Sequence, residues 1–444
     1  MSTTGEAVRP LVLPVALGLG LGGLVTLSPP AAAVALVAVL VTTVSLRWPP
    51  VLVAFSFMAM IFDKAGLTGA RVADFPVTAS KLAVGGSMAM WAAYTALTRE
   101  RPLRWHPVLT AMLAMALAAL VSATHANAMK VAKFVIFGLL MMNAMVALTY
   151  TMLAEQPLRG LYKFMAAFFV LVLVIAVVSA GGGAGEAARG TGTMGDPNEW
   201  ATMVMLLTPL LLGGLADEPG WAGSGLRLSL LGLAPLSVLQ TESRAALLCS
   251  VFVVPGVLWI LRSRRGELAA IGLAGAIGAP LMLDLDAMFD RFGALVGRAG
   301  GQGGVDDASL DERTVLLKQG LDLFRDHWAM GSGPGSFGKA TGYLSPEGKF
   351  RPAHNTYLET AGEQGLLGLV PLALFGVAIV VTVWFAWGAA RNEQARARVL
   401  GAGLGIGAVA LMAATLGLLT FAMFYLMLGV LLAVAHQARK APLD

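Results

Sequence analysis

Charge is what this 444-residue chain lacks: Asp, Glu, Lys and Arg make up 13% of it, against 57% hydrophobic residues. No soluble globular domain carries that balance, so the chain reads as an integral membrane protein. Segments of strictly alternating polarity are also missing, which excludes a membrane β-barrel. Cysteine is almost absent. Cys249 alone stands in an apolar run, so no internal disulfide forms and nothing follows about compartment.

What is present is a series of apolar runs, each of about 17–25 residues and long enough to cross a hydrocarbon core as a helix. Candidate spans fall near 11–27, 31–46, 49–62, 77–97, 107–123, 130–150, 161–180, 200–215, 226–240, 244–262, 267–284, 366–388, 398–416 and 417–436. The fold class is therefore an all-α polytopic bundle of about 12–14 transmembrane helices, because the runs at 49–62 and 226–240 are short or weak. The first run has only Arg9 before it and no small-residue cleavage site, so it reads as a retained span. Residues 1–284 are expected to form an N-terminal bundle, 285–365 one large polar loop and 366–444 the C-terminal helices.

Orientation follows from the basic residues of the short loops. With the N-terminus in the cytoplasm, Arg47, "TRERPLRWH", Arg159 with Lys163, "RSRRGE", "RNEQARAR" and "HQARK" all lie on the cytoplasmic side. Both termini are then cytoplasmic, and the 285–365 loop faces the periplasm of a bacterial inner membrane. Lys81, Lys130, Lys133, Arg189 and Arg244 break the rule, since they fall at the outer ends of spans. Singly, each reads equally well as a snorkelling side chain. Together with Arg313 and Arg351 they read as the contacts of a shared anionic substrate.

Inside the loop, "LDERTVLLKQGLDLFRDHW" sets Leu317, Leu321, Phe324 and Trp328 at helical spacing with Arg313, Lys318 and Arg325 between them, the pattern of an amphipathic helix whose apolar stripe packs on the bundle or the membrane. "GSGPGSF" lacks the lysine and preceding strand of a phosphate-binding loop and reads as a tight turn. "LGLGLGG" near residue 20 and "GAGLGIG" near 404 read as close-packing helix surfaces. Asp284 and Asp286 are a weak metal signal, better explained by a helix end. The loop "SPPA" between the first two runs carries no acid, which speaks against membrane glycosyltransferases with a catalytic aspartate there. His106 and His436 fall on the basic side. No histidine pair has zinc-hydrolase spacing, and His125 and His327 are read as structural. His354 differs because Asn355, Tyr357, Glu359 and Glu363 surround it just before a span, and an imidazole is suited to take a proton from a hydroxyl.

"HNTYLETAGEQGLLG" after "GSGPGSF" resembles the signature of the O-antigen ligase and polysaccharide polymerase superfamily, membrane glycosyltransferases acting on undecaprenyl-diphosphate-linked glycans. "GTMGDPNEWA", "TESRAALL" and "DERTVLLKQGLDLF" are similar to further blocks of that family, so the likeness spans roughly residues 190–370. The resemblance implies that His354 is the base, that Arg244 and Arg313 hold the donor diphosphate, and that neither metal nor cofactor is needed. Arg189, Asp196, Asn198, Arg351, Asn355, Tyr357, Glu359 and Glu363 are secondary candidates. Asp196 reads equally as a helix N-cap. The implied partners are the lipid-linked glycan donor, a glycan or lipid A-core acceptor and membrane lipids, with no nucleic acid. Chain polymerisation comes first, ligation to lipid A-core next, then protein O-glycosylation. A transporter would carry charged residues mid-membrane, whereas these gather at one face.

Overall fold

The computed structural model describes residues 40–61, most of 84–95, 103–126, 129–179, 190–282, 308–344, 348, 350–419 and 421–440. Among these the chain is all-α. Its named helices are α1 (Pro50–Ile61), α2 (Pro107–Ser122), α3 (Met129–Leu153), α4 (Arg159–Ser179), α5 (Pro197–Leu215), α6 (Gly220–Thr241), α7 (Arg244–Ile260) and α8 (Arg265–Met282). They continue as α9 (Ala308–Asp326), the single turn α10 (Phe337–Thr341), α11 (Thr356–Ala389), α12 (Glu393–Met412) and α13 (Ala422–Lys440). Seven of the described helices, α2, α3, α4, α6, α11, α12 and α13, are long and apolar enough to cross a membrane, and α1 and α7 are shorter apolar helices. The expected span at 11–27 lies outside the described residues, as does most of that at 31–46. Residues 77–97 are helical where described.

The bundle is built around α5, which is buried on nearly every side from Trp200 to Leu215. It can be so central because α12 lies on it with glycines at the crossing. A Cβ at Gly401 would stand 2.4 Å from Pro209 O, and one at Gly405 2.2 Å from Leu206 O. Small residues let two backbones touch where lipid supplies no hydrophobic drive between helices. The stretch "GAGLGIG" is thus the packing surface its composition predicts.

Short loops alternate the helix directions, so one end of the bundle collects the start of α3, the starts of α5, α7 and α11, and residues 308–344 and 350–355. We call it the loop end. The opposite, basic end gathers cations that are paired with acids. Arg159 grips Glu218 with two hydrogen bonds of 2.7 Å, and Lys163 joins the same carboxylate. Arg227 is fully buried and spends its guanidinium on Glu267 at 2.6 and 2.7 Å and on the free carbonyls of Leu215 and Glu218 at 2.8 Å. It closes the C-terminal end of α5, whose last carbonyls have no helical partner, and ties α6 to α8. Arg104, Lys440 and His436 converge on Glu155.

Two sequence expectations need correction. Of the two surfaces open to the stripe of α9, it does not pack on the bundle: Leu317 and Leu321 are each 46% exposed and Trp328 59%. Burial falls instead on Leu316 and Leu323, which form a small core with Phe337, Ala353 and Leu358, while Gly320 sits against Leu358. The helix therefore shows the bundle a narrower, mixed face one residue away from the obvious stripe. The contiguous spans at 398–416 and 417–436 are in fact parted by non-helical residues between Met412 and Ala422.

Candidate active site at the loop end

The start of α11 is the fixed point of the site. Asn355 caps the helix, its side-chain oxygen accepting the amides of Tyr357 and Leu358 at 3.0 Å. Thr356 then fastens it to the α12–α13 turn: its amide donates to Ala413 O at 2.8 Å, its hydroxyl donates to Leu416 O at 2.7 Å and accepts from Leu418 N at 2.8 Å. On the other side Ala353 is buried in the α9 core. Between these anchors His354 takes φ of +50°, a left-handed conformation that a residue with a Cβ rarely adopts. Backbone held this way is a feature of over-determined sites.

His354 is half-buried, and that burial is the first cause that lowers its pKa below the usual 6.5. The charge of Arg313 lowers it further, Glu312 opposes, Arg351 lowers and Asp196 opposes. Four charged groups from three places in the sequence thus act on one imidazole. Arg351 lies 3.2 Å from Glu312 through its Nε, without hydrogen-bond alignment. Arg313, half-buried near the start of α9, has no ion pair or hydrogen bond among the described side chains. Glu312 was passed over in the sequence, although it sits beside Arg313 in "DERT". The signal was a carboxylate next to a candidate arginine at the start of a helix.

Below the histidine α11 is broken. Gly365 has φ of +61° and ψ of −152°, and a Cβ there would meet Ala329 C at 2.6 Å. Four backbone groups on either side of the break are bonded instead to the glycine turn and the residues just before it. Ser332 N and Gly333 N donate to Gly362 O and Glu363 O at 3.0 and 2.8 Å, while Leu366 N and Leu367 N donate to Trp328 O and Ala329 O at 2.7 and 3.1 Å. This exchange is how non-helical backbone persists at membrane depth. The turn does cradle a carboxyl group: Gly335 N and Phe337 N donate to the buried Glu363 side chain at 2.7 and 2.9 Å. Ser122 Oγ adds contacts to Met330 O and Glu363 O.

The sequence-predicted candidates divide accordingly. His354, Arg313, Arg351 and Asp196 are brought together electrostatically. Asp196 is also the N-cap of α5, accepting from Asn198 and Glu199 amides at 2.8 and 3.0 Å, and Asn198 lies in the first turn after it. Arg244 opens α7 at the same end, after the Ser243 cap. Asn355 and Glu363 are committed to backbone. Glu359, half-buried, lies one turn before Glu363. Tyr357 donates to Ala410 O at 2.6 Å. Arg189, Lys81, Asp284 and Asp286 lie outside the described residues. Among the described residues no group of three or more His, Cys, Asp or Glu has the spacing of a metal site.

From Thr356 and Tyr357 an apolar cleft of about 560 Å³ runs between α11, α12 and α13 toward Trp384 and Trp387, lined on the way by Phe375, Ile379, Val383 and Ile406. Its Thr356–Tyr357 end thus lies two to three residues along the chain from His354.

A family model described as O-antigen ligase matches residues 228–373. Over those residues the chain is similar to the O-antigen ligase family. The match takes in "TESRAALL", α9, the glycine turn and the His354 segment, and the superfamily resemblance of those motifs stands. "GTMGDPNEWA" lies before it. No curated protein matches the chain.

Proposed function

We propose that this chain transfers a glycan from undecaprenyl diphosphate to an acceptor hydroxyl on the periplasmic face of the inner membrane, as a polysaccharide polymerase. The observation that carries this reading is the apolar cleft whose Thr356–Tyr357 end follows directly in the chain on His354, the residue on which the loop-end charges act. A lipid tail suits the cleft, and a diphosphate at the tail's end suits Arg313, with Arg244 as the second cation. Guanidinium groups keep their charge and bind phosphate oxygens in pairs.

In this reading His354, neutral because its pKa is lowered, takes the acceptor's hydroxyl proton. The acceptor oxygen attacks the anomeric carbon from the face opposite the leaving group, so configuration inverts. The C–O bond to the diphosphate breaks, and its electron pair stays on undecaprenyl diphosphate. Fixed cations favour that growing charge. No step calls on a metal, so transfer survives excess EDTA.

Ligation to lipid A-core is the second reading, favoured by the description of the matching family. A deletion strain separates the two: single repeat units on lipid A mean polymerase, whereas loss of all long chains with accumulation of lipid-linked polymer means ligase. A topology reporter within 300–345 is active only outside the cytoplasm, and one within 262–266 only inside. The reverse pattern overturns the mechanism.

A further inference from the structure

A second pocket, of about 440 Å³, opens at the loop end between the α2–α3 turn and the end of α9, lined by His125, Asp326, His327, Trp328 and the backbone from Ala329 to Ser332. Its volume falls within the roughly 300–1,000 Å³ of small-ligand sites. Neither the resemblance nor the proposed transfer uses these residues.

Hydrogen bonding fixes what the two imidazoles present. Thr124 Oγ1 gives its one proton to Val121 O at 2.8 Å, so at its 2.8 Å contact with His125 Nδ1 the ring nitrogen is the donor. His327 Nδ1 lies 3.3 Å from Leu323 O, a carbonyl that only accepts, so it too carries the proton. Each ring therefore has its Nε2 left over from these contacts. Asp326 is exposed and adds a carboxylate with no ion pair among the described side chains. Trp328, 59% exposed, contributes a flat apolar face. The pocket thus offers one carboxylate, two imidazoles and one aromatic surface, and neither lysine nor arginine lines it. That lining carries no fixed positive charge to select phosphate or carboxylate. It suits a polyol, whose hydroxyls donate in plane while its C–H face lies on the indole ring.

We propose that this pocket binds a sugar unit of the glycan chain, as a subsite distal to the transfer site. It is distal because Arg313 and Asp326 stand 13 residues apart on α9, about 20 Å along the helix. The functional meaning rests on the glycan-transfer reading, while binding itself does not. A polymer held here keeps its growing or donor-linked end near His354, so the pocket influences affinity for long chains more than the rate of a single transfer.

The probe is a mixture of oligosaccharides released by mild acid from the source bacterium's own envelope polysaccharide, added to the detergent-purified full chain and followed by saturation-transfer NMR. Wild type binds. Trp328→Ala and Asp326→Asn weaken binding by about tenfold, Trp328→Phe restores part of it, and His354→Ala changes it less than about twofold. In the transfer assay the pocket variants raise KM for long acceptors while kcat with single-repeat acceptors is kept. Absence of binding by wild type, or equal binding by folded Trp328→Ala and Asp326→Asn, overturns the proposal. So does a Trp328→Ala defect confined to bilayer association, which would make the residue an interfacial anchor. If His354→Ala transfers normally yet the pocket variants lose binding, the transfer reading fails and the subsite stands.

Discussion

Arginines occupy both ends of this bundle and are treated in opposite ways. At the basic end Arg227 is fully buried with every polar direction used, and Arg159 holds a two-point contact with Glu218. At the loop end Arg313 has no such partner among the described side chains, and Arg351 reaches Glu312 without hydrogen-bond alignment. A buried cation left unpaired is costly, so the basic end reads as architecture. Cations left available beside a half-buried histidine read as contacts for an anion brought from outside.

The contrast is broken first at the histidine. His354→Ala lowers transfer by about 10²–10⁴-fold, the usual worth of a general base, and leaves the thermal unfolding profile and donor binding near wild type. Near-normal transfer by the folded variant removes the histidine from the mechanism. At the basic end the loss is in stability. Arg227→Met leaves Glu267 and two carbonyls without their partner and destabilises by about 3–5 kcal/mol, read by denaturation in detergent. The double change with Glu267→Met recovers part of it.

Smaller effects sharpen the comparison. His354 is the base only when neutral, so the acid limb of kcat/KM lies below pH 6.5, in the direction its pKa is shifted. Because Arg313 lowers that pKa, Arg313→Gln moves the limb to higher pH. Glu312 raises it, so Glu312→Gln moves the limb lower. A limb that ignores both substitutions breaks the assignment. Least affected is the exposed Arg262–Glu393 pair, where Arg262 also lies over Trp259 at 3.8 Å. Arg262→Ala costs under about 1 kcal/mol and leaves transfer unchanged.

How much of this was legible in the sequence differs by physical cause. Most span positions among the described residues were, because lipid demands a long apolar run whatever the neighbours are. The gathering of basic loops at one end and the glycine crossing of α5 and α12 were also readable. The packed face of α9 was not: periodicity marks which residues share a face, but Gly320 against Leu358 decided which face docks. The glycine turn was read as a connector because its partner, the break at Gly365, lies some 30 residues further on, and only the fold joins them. Asn355 was counted as chemistry although an Asn before "TYLE" is a helix-start signal. His354 and Arg313 were legible because polar residues are conspicuous in so apolar a chain. Their shared surroundings with Asp196, more than 100 residues away, were not.

The central claim is that Arg313 at the loop end serves substrate and not the fold, and it is tested by titrating undecaprenyl diphosphate into the purified protein in nanodiscs, with unfolding followed on the same samples. For Arg313→Gln the account predicts binding weaker by about ten- to a hundredfold, as for one lost charge-assisted contact, with an unfolding midpoint close to wild type. Unchanged binding together with a lowered midpoint would mean that Arg313, like Arg227, serves the fold, and would contradict the account.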